Sequence, residues 1–347
     1  MRKLIDQLAR TSFLTSVELL DLLDHMNEAD IKYLHERAIA VKKDHYGDTV
    51  YMRGLIEFTN YCTNDCLYCG IRKSNRNAER YRLTKEQILE CCEMGNTLGY
   101  RTFVLQGGDD PYYTDERIVD LITAIKTANP DCAITLSIGE KSYESYKKYQ
   151  DAGVDRYLLR HETNSRQLYE SLHPDMSYDN RIRCLTDIKE IGLQVGAGFM
   201  VGLPGQTNTD FVNDLMFLKD LNPHMVGIGP FMPQKNTPLK DAESGTAAKT
   251  YVLLSLVRLL LPKVLLPATT ALGSIDPKGR ENGLKSGANV VMPNLSPTNV
   301  RDKYLLYDGK ICTGDEAAHC RGCIEKRINS AGFVVDMGRG DHVSYKE

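Results

Sequence analysis

Tyr51-Met-Arg-Gly-Leu-Ile-Glu-Phe58 is a short, mostly apolar segment that runs straight into Cys62-Thr-Asn-Asp-Cys66-Leu-Tyr-Cys69. Downstream, the same kind of segment recurs at Thr102–Leu105, Ala133–Ser137, Tyr157–Leu159, Val195–Val201, Met225–Ile228, Val264–Leu266 and Asn289–Met292. Helix-like stretches lie between them at Thr84–Leu98, Asp115–Ala128, Ser142–Ala152, Ser177–Ile191, Thr209–Leu221 and Ala247–Leu261. Eight strand segments with helix-like stretches between them predict an α/β fold and specifically a (β/α)8 TIM-type barrel. A doubly wound open sheet is the competitor, and periodicity alone does not separate the two. Upstream, Leu19, Leu20, Leu22, Leu23 and Met26 form one apolar stripe and Ile31, Leu34 and Ala38 another, which predicts a helical cap. The expected division is therefore residues 1–48 for the helical segment, 49–300 for the barrel and 301–347 for a C-terminal extension.

The expected strand ends carry unusual chemistry: Gln106-Gly107-Gly108-Asp109, Ser137, Arg160-His161-Glu162, Gly202-Leu-Pro-Gly205, Gly229-Pro230 and Thr269-Thr270. A parallel barrel builds its active site at the carboxyl ends of its strands, so these residues are expected to share one site. The 347 residues carry 43 basic and 46 acidic side chains, a net charge of −3, and are 42% hydrophobic. That excludes a disordered or collagenous chain and gives no overall basic field for nucleic acid or an anionic membrane, so a small-molecule site is expected. The stretch Tyr251–Ala268 is interrupted by Arg258, Pro262, Lys263 and Pro267 and is not read as a membrane span. The N-terminus has Asp6, Glu18, Asp21 and Asp24 among its leucines instead of the apolar run of a signal peptide, and the chain is read as cytoplasmic.

Ten cysteines are too few for a disulfide-stapled scaffold of this length, but six are clustered: Cys62, Cys66 and Cys69, then Cys312, Cys320 and Cys323. Cys91, Cys92, Cys132 and Cys184 stand apart and are expected to be buried small hydrophobes. Three thiolates are the informative number. A structural zinc site closes with four ligands, whereas a [4Fe-4S] cluster on three cysteines keeps one iron open; zinc completed by a histidine is the alternative.

Cys-x3-Cys-x2-Cys with Tyr68 before the last cysteine resembles the signature of the radical S-adenosylmethionine (SAM) superfamily. The resemblance implies that the open iron binds SAM and that one electron cleaves it to methionine and a 5′-deoxyadenosyl radical. Gly107 and Gly108 resemble the motif whose backbone meets the SAM amino group, although Asp109 stands where glutamate is usual. Gly198-Phe-Met-Val-Gly202-Leu-Pro-Gly205 resembles the adenine-facing turn and lacks the Lys-Ser/Thr pair of a phosphate loop.

Further blocks narrow the resemblance: Ile56-Glu57-Phe58, Tyr81-Arg82-Leu83-Thr84, Asp110-Pro111-Tyr112-Tyr113, Arg156-Tyr-Leu-Leu-Arg160-His161-Glu162-Thr163, Gly227-Ile-Gly229-Pro230-Phe231, Pro267-Ala-Thr269-Thr270 and Met292-Pro293-Asn294. In order and spacing they are similar to the HydE family of [FeFe]-hydrogenase maturases. That likeness implies SAM contacts from Ser137, Glu162 and Arg181, and a substrate pocket of Arg53, Gln106, Arg160, Thr269, Thr270 and Tyr307. Pairing of Arg160 with Glu162 is the competing role for both, and Arg53 carries a similar ambiguity. His161 is expected to be packed or hydrogen-bonded and not a metal ligand. Cys312, Cys320 and Cys323 match an auxiliary-cluster pattern, [2Fe-2S] or [4Fe-4S]. The implied substrate is a small iron–carbonyl–cyanide–cysteine precursor from HydG, with the product passed toward HydF and electrons drawn from a ferredoxin or flavodoxin. Radical attack on the cysteine sulfur and hydrogen abstraction both remain open. Methylornithine synthase is the neighbouring enzymatic alternative, and a non-catalytic iron–sulfur carrier is the alternative of another class. Biotin synthase is disfavoured because no expected strand carries a cysteine.

Overall fold

The computed structural model describes residues 1–345; residues 346–347 of the expected C-terminal extension lie outside the described residues. Three helices, Arg2–Thr11, Ser16–His25 and Glu28–Tyr46, make up the N-terminal segment. Thr15 and Asn27 open the second and third with reciprocal capping boxes, to Glu18 and Asp30. Leu19, Leu22, Leu34 and Ala38 are fully buried, and the third helix packs along the helix Ala247–Leu260.

The strands are β1 (Thr49–Met52), β2 (Gly54–Thr59), β3 (Thr102–Gly107), β4 (Ala133–Ser137), β5 (Arg156–Leu158), β6 (Gln194–Ala197), β7 (Met200–Val201), β8 (Met225–Val226), β9 (Gly229–Pro230), β10 (Val290–Val291) and β11 (Val334–Asp336). One parallel sheet runs β2-β3-β4-β5-β6-β8; a second runs β10-β1-β11, and β7 pairs with β9. In the first sheet Gly54 faces Phe103, Phe103 faces Ile134, Leu136 faces Tyr157 and Tyr157 faces Val195. Single parallel bridges join Met225 to Leu265, Pro267 to Val290 and Leu55 to Asn294.

Three expected strands are broken. Tyr51–Phe58 divides at Arg53 into β1 and β2, which lie in different sheets. Val195–Val201 divides into β6 and β7 at Gly198, where φ is 150° and a Cβ would stand 2.0 Å from Gly227 O. The neighbouring chain passes too close for any side chain, so both strands kink together and resume as the β7–β9 pair. Val264–Leu266 forms no strand of its own and is held by the bridge at Leu265. The helices start one residue later than expected at Lys85, Tyr143 and Tyr178, because Thr84, Ser142 and Ser177 are N-caps accepting from the backbone N–H three residues on.

The end of the chain lies across the amino ends of the strands. Arg339 O accepts from Thr102 Oγ1 (2.7 Å) and Arg156 Nη2 (2.7 Å), while Asp341 accepts from Gln194 Nε2 (2.9 Å) and Arg339 Nε (2.8 Å). Thr102, Arg156 and Gln194 are the first residues of β3, β5 and β6. This closes one end of the sheet and leaves the carboxyl ends for the site.

Candidate functional site

A cavity of about 390 Å³ opens at the carboxyl ends of the strands. Gln106, Gly107 and Gly108 reach it from the end of β3, Ser137 from β4, Arg160 and Glu162 from beyond β5, and Thr269 and Thr270 from the start of a short helix after Leu266. Cys62, Cys66 and Cys69 line the same space, and so does Arg181 from the helix Tyr178–Ile191. Tyr307 lines it from the C-terminal extension. The structure thus brings together the cysteines and the residues assigned to SAM and substrate except Arg53, while Gly202–Gly205, expected at the same site, line a separate pocket beside Lys249.

Arg53 is corrected. It is fully buried between β1 and β2, donating through Nη2 to Gly340 O (2.9 Å) and through Nη1 to Met225 Sδ (3.1 Å). Alternation along the strand puts it on the same face as Leu55 and Glu57, but at the sheet's closed end, where the C-terminal segment covers it.

The cysteine loop is built by backbone bonds to its surroundings. Thr63 N donates to Asp109 O (2.9 Å), Leu67 N to Leu172 O (2.9 Å) and Gly70 N to Leu306 O (3.0 Å). Gly108 is required by this packing: a Cβ there would meet Tyr61 O at 2.1 Å and Cys62 Cβ at 2.8 Å. Burial pushes the Cys62 thiol up, Cys66 up to about 12, and Cys69 further still. Such thiols become thiolates when a bound cation supplies the missing charge, and this donor set fits an iron–sulfur cluster. Among the described residues no histidine lines the cavity that could complete a zinc site.

Asp109, at the position where glutamate is usual, pairs its carboxylate with Lys141. Glu162 adopts φ 66°, a left-handed conformation rare for a side chain of this kind, held by Glu162 N to Gly198 O and Met200 N to Glu162 O at 3.0 Å each. The strained turn aims its carboxylate into the cavity, where it accepts from Arg160 Nη2 (2.7 Å) and Nε (3.2 Å). Burial alone would raise the Glu162 carboxyl; the Arg160 and Arg181 guanidinium groups outweigh it, and the net direction is down. Arg181 donates through Nε to Glu140 (2.6 Å) and through Nη1 to Arg160 O. Arg160 thus lines the cavity and pairs with Glu162.

Thr269 caps the short helix Thr270–Ile275, while Gln106 Nε2 approaches Tyr304 Oη (3.3 Å) and burial pushes Tyr307 up to about 12. His161 is buried against Asp214 (3.1 Å), away from the cavity, and Cys91, Cys92, Cys132 and Cys184 are buried.

Sequence reasoning missed Glu57, Lys310 and Tyr304. Lys310 Nζ bonds both Glu57 carboxylate oxygens and Tyr304 O, and Asn294 Nδ2 donates to Glu57 (2.7 Å). A charge in the apolar run of β2 was the available signal for Glu57; nothing local marks Lys310.

The C-terminal cysteines differ in setting. Cys320 is buried and Cys323 exposed, one turn apart on the helix Ala317–Ser330, while Cys312 is half-buried in the preceding loop. The hydrogen bond from Cys320, helped by the Arg280 charge, pulls Cys312 down, and the same bond pushes Cys320 up. Among the described residues no three His, Cys, Asp or Glu side chains converge tightly enough to hold a single ion.

A parallel α/β fold whose carboxyl-end cavity carries three thiols on one loop is the arrangement of a radical SAM enzyme, and the model of the Radical SAM superfamily matches residues 56–218. The [FeFe] hydrogenase maturase subunit HydE of Thermotoga maritima is 46% identical over 95% of this chain and 94% of its own length. The chain belongs to the HydE family. A 3-methylornithine synthase of Methanosarcina acetivorans is 30% identical over 85% of this chain and 83% of its own. The crystal structure of methylornithine synthase superposes with a TM-score of 0.84 at 27% identity, over 96% of this chain and 97% of that one. Family membership brings a [4Fe-4S] cluster and SAM with it.

Proposed function

We propose that the chain acts in assembly of the [FeFe]-hydrogenase diiron site, on a small iron–carbonyl–cyanide–cysteine precursor delivered by HydG, and that its product goes on toward HydF. The observation that carries this reading is the shared cavity: three thiols, the Gly107–Gly108 turn, the Glu162–Arg160 pair and a second polar wall of Gln106, Thr269, Thr270 and Tyr307 all open into one space. With the cluster and SAM bound, one electron cleaves the sulfonium and supplies a 5′-deoxyadenosyl radical.

The chain's own residues bind and exclude. Cys62, Cys66 and Cys69 hold the iron, the bare Gly108 backbone gives SAM close approach, Ser137 adds a hydroxyl, and Glu162, kept ionised by its arginines, accepts from the ammonium or ribose of SAM. Arg181 offers its guanidinium to the SAM carboxylate. Arg160, Gln106, Thr269, Thr270 and Tyr307 hold the substrate's anionic and polar ends, while Leu159, Met200 and Phe231 keep water from the reacting carbon. The bridges at Met225–Leu265, Pro267–Val290 and Leu55–Asn294 favour a ring of eight parallel strands closing around this space. Cys312, Cys320 and Cys323 hold an auxiliary cluster, and a ferredoxin or flavodoxin supplies electrons. A cytoplasmic setting is part of this reading; no described helix is long and apolar enough to cross a membrane.

Anaerobically reconstituted protein, reduced with SAM present, should bind about four irons at the N-terminal loop and release 5′-deoxyadenosine. Cys66→Ser should fold and release none. Full SAM cleavage by that variant would end the assignment, and formation of 3-methylornithine would move the chain to the other reading.

A further inference from the structure

Between Cys69 and β3 the chain doubles back, and the Arg80 side chain fills the turn. Nη1 donates to Asn60 O and Ile71 O (2.8 Å), and Nη2 to Arg72 O (2.6 Å) and Asn75 O (3.2 Å). Asn60 lies two residues before Cys62 and Ile71 two after Cys69, so one guanidinium ties both ends of the cysteine loop. The planar fork is what permits four such bonds at once.

Its charge is also unusual in being left over. Neighbouring charges are spent on one another: Arg72 on Asp65, Lys303 on Glu79, Arg82 on Asp110. Among the described residues Arg80 donates to carbonyl groups alone and pairs with no carboxylate. Burial pulls the guanidinium down, and ionisation of Cys62 and Cys69, then of Tyr61, acts against that pull.

We propose that Arg80 is a positioning residue for the cysteine loop and that its charge sets the reduction potential of the cluster held there. The inference rests on the cluster reading above. A cluster held by three thiolates gains one negative charge when a low-potential one-electron donor reduces it, and no bond is made or broken at Arg80. A fixed cation tied to both ends of the cysteine loop stabilises the more negative state by more than the oxidised one, so the potential rises and reduction becomes easier.

The test is a potentiometric titration, followed by electron paramagnetic resonance, of the full reconstituted chain and of Arg80→Gln and Arg80→Lys at matched iron content. Arg80→Gln should titrate at a lower potential than the native protein. Arg80→Lys, which keeps the charge but loses the fork, should titrate near the native value and lose iron faster to a chelator. A fully loaded Arg80→Gln protein at the native potential overturns the proposal. If Arg80→Gln folds by circular dichroism but does not retain iron, the clamp is supported and Arg80→Lys decides the charge: a native potential sustains it, a lowered one overturns it. Failure of the native protein itself to bind a cluster is a different result and ends the proposed function.

Discussion

Lys310 Nζ lies 2.6 Å from Glu57 Oε1 and 2.8 Å from Oε2, joining the C-terminal extension to β2 across 253 residues, with side chains only 8% and 3% exposed. The pair is both a wall of the cavity and a strut between chain segments. Removing one partner leaves a buried charge that water reaches poorly, so Lys310→Met should cost about 3–5 kcal/mol. Replacing both, as Glu57→Leu with Lys310→Met, should recover most of it. Urea unfolding of the two variants checks this; a double variant as unstable as the single one would mean that Lys310 acts through something other than the carboxylate.

Gly108→Ala asks whether the Gly107–Gly108 turn and the cysteine loop are one unit. The added methyl would collide with Tyr61 O, a backbone atom that does not swing aside, and with Cys62 Cβ. The collision should cost about 1–3 kcal/mol and displace Cys62, so the variant should load fewer irons and lose SAM affinity together. Iron analysis and equilibrium SAM binding on the same sample decide it. Normal iron with normal SAM binding would show that the loop has slack.

The covered end of the sheet should betray itself in acid. Burial alone would raise the Asp341 carboxyl, but the Arg156 charge, a Gln194 hydrogen bond and Arg339 hold it at about 2, below its ordinary 3.8. Burial lowers Arg156 as well, but a guanidinium stays protonated at every pH of interest, so the carboxylate is the group that titrates. A depressed folded-state value means that its contribution is present above pH 4 and is lost as pH falls toward 2, about 2 kcal/mol in all. Asp341→Asn should therefore be less stable than the native protein at pH 7 and less sensitive between pH 4 and 2. Parallel acid sensitivity in both proteins would show that Asp341 is not the group responsible.

What the sequence revealed followed from local signals. The cysteine spacing, the glycines after β3 and the polar strand ends were legible because each is contiguous, and alternation of period 2 and 3.6 placed the strands and helices. Arg53 shows the limit: alternation fixes which face a side chain takes but not its depth, and depth separates the floor from the cavity. Lys310 shows the other limit, because the strand residue it meets lies 253 positions away. Gly198 was read as part of a turn motif and its strand as continuous, since the close passage of Gly227 is not written in either segment.

The C-terminal cysteines give the last prediction. They sit in an extension, yet not a remote one: Tyr304, Tyr307 and Lys310 line the cavity, and Arg280 reaches from Cys312 Sγ (3.6 Å) to Thr270 Oγ1 (3.4 Å). The cavity wall is made by side chains on the near side of this link, and the thiols lie behind it. Changing Cys312, Cys320 and Cys323 together to serine should therefore remove the iron beyond the first four equivalents and leave SAM cleavage within about twofold, a barrier change of under about 0.5 kcal/mol. Exposed Cys323 should make that second portion of iron the first to go under a mild chelator. Iron content and 5′-deoxyadenosine release, measured on a variant shown to be folded, separate the possibilities. Loss of SAM cleavage in such a variant would make the second cluster part of the electron path, and unchanged iron would mean that these three thiols bind none.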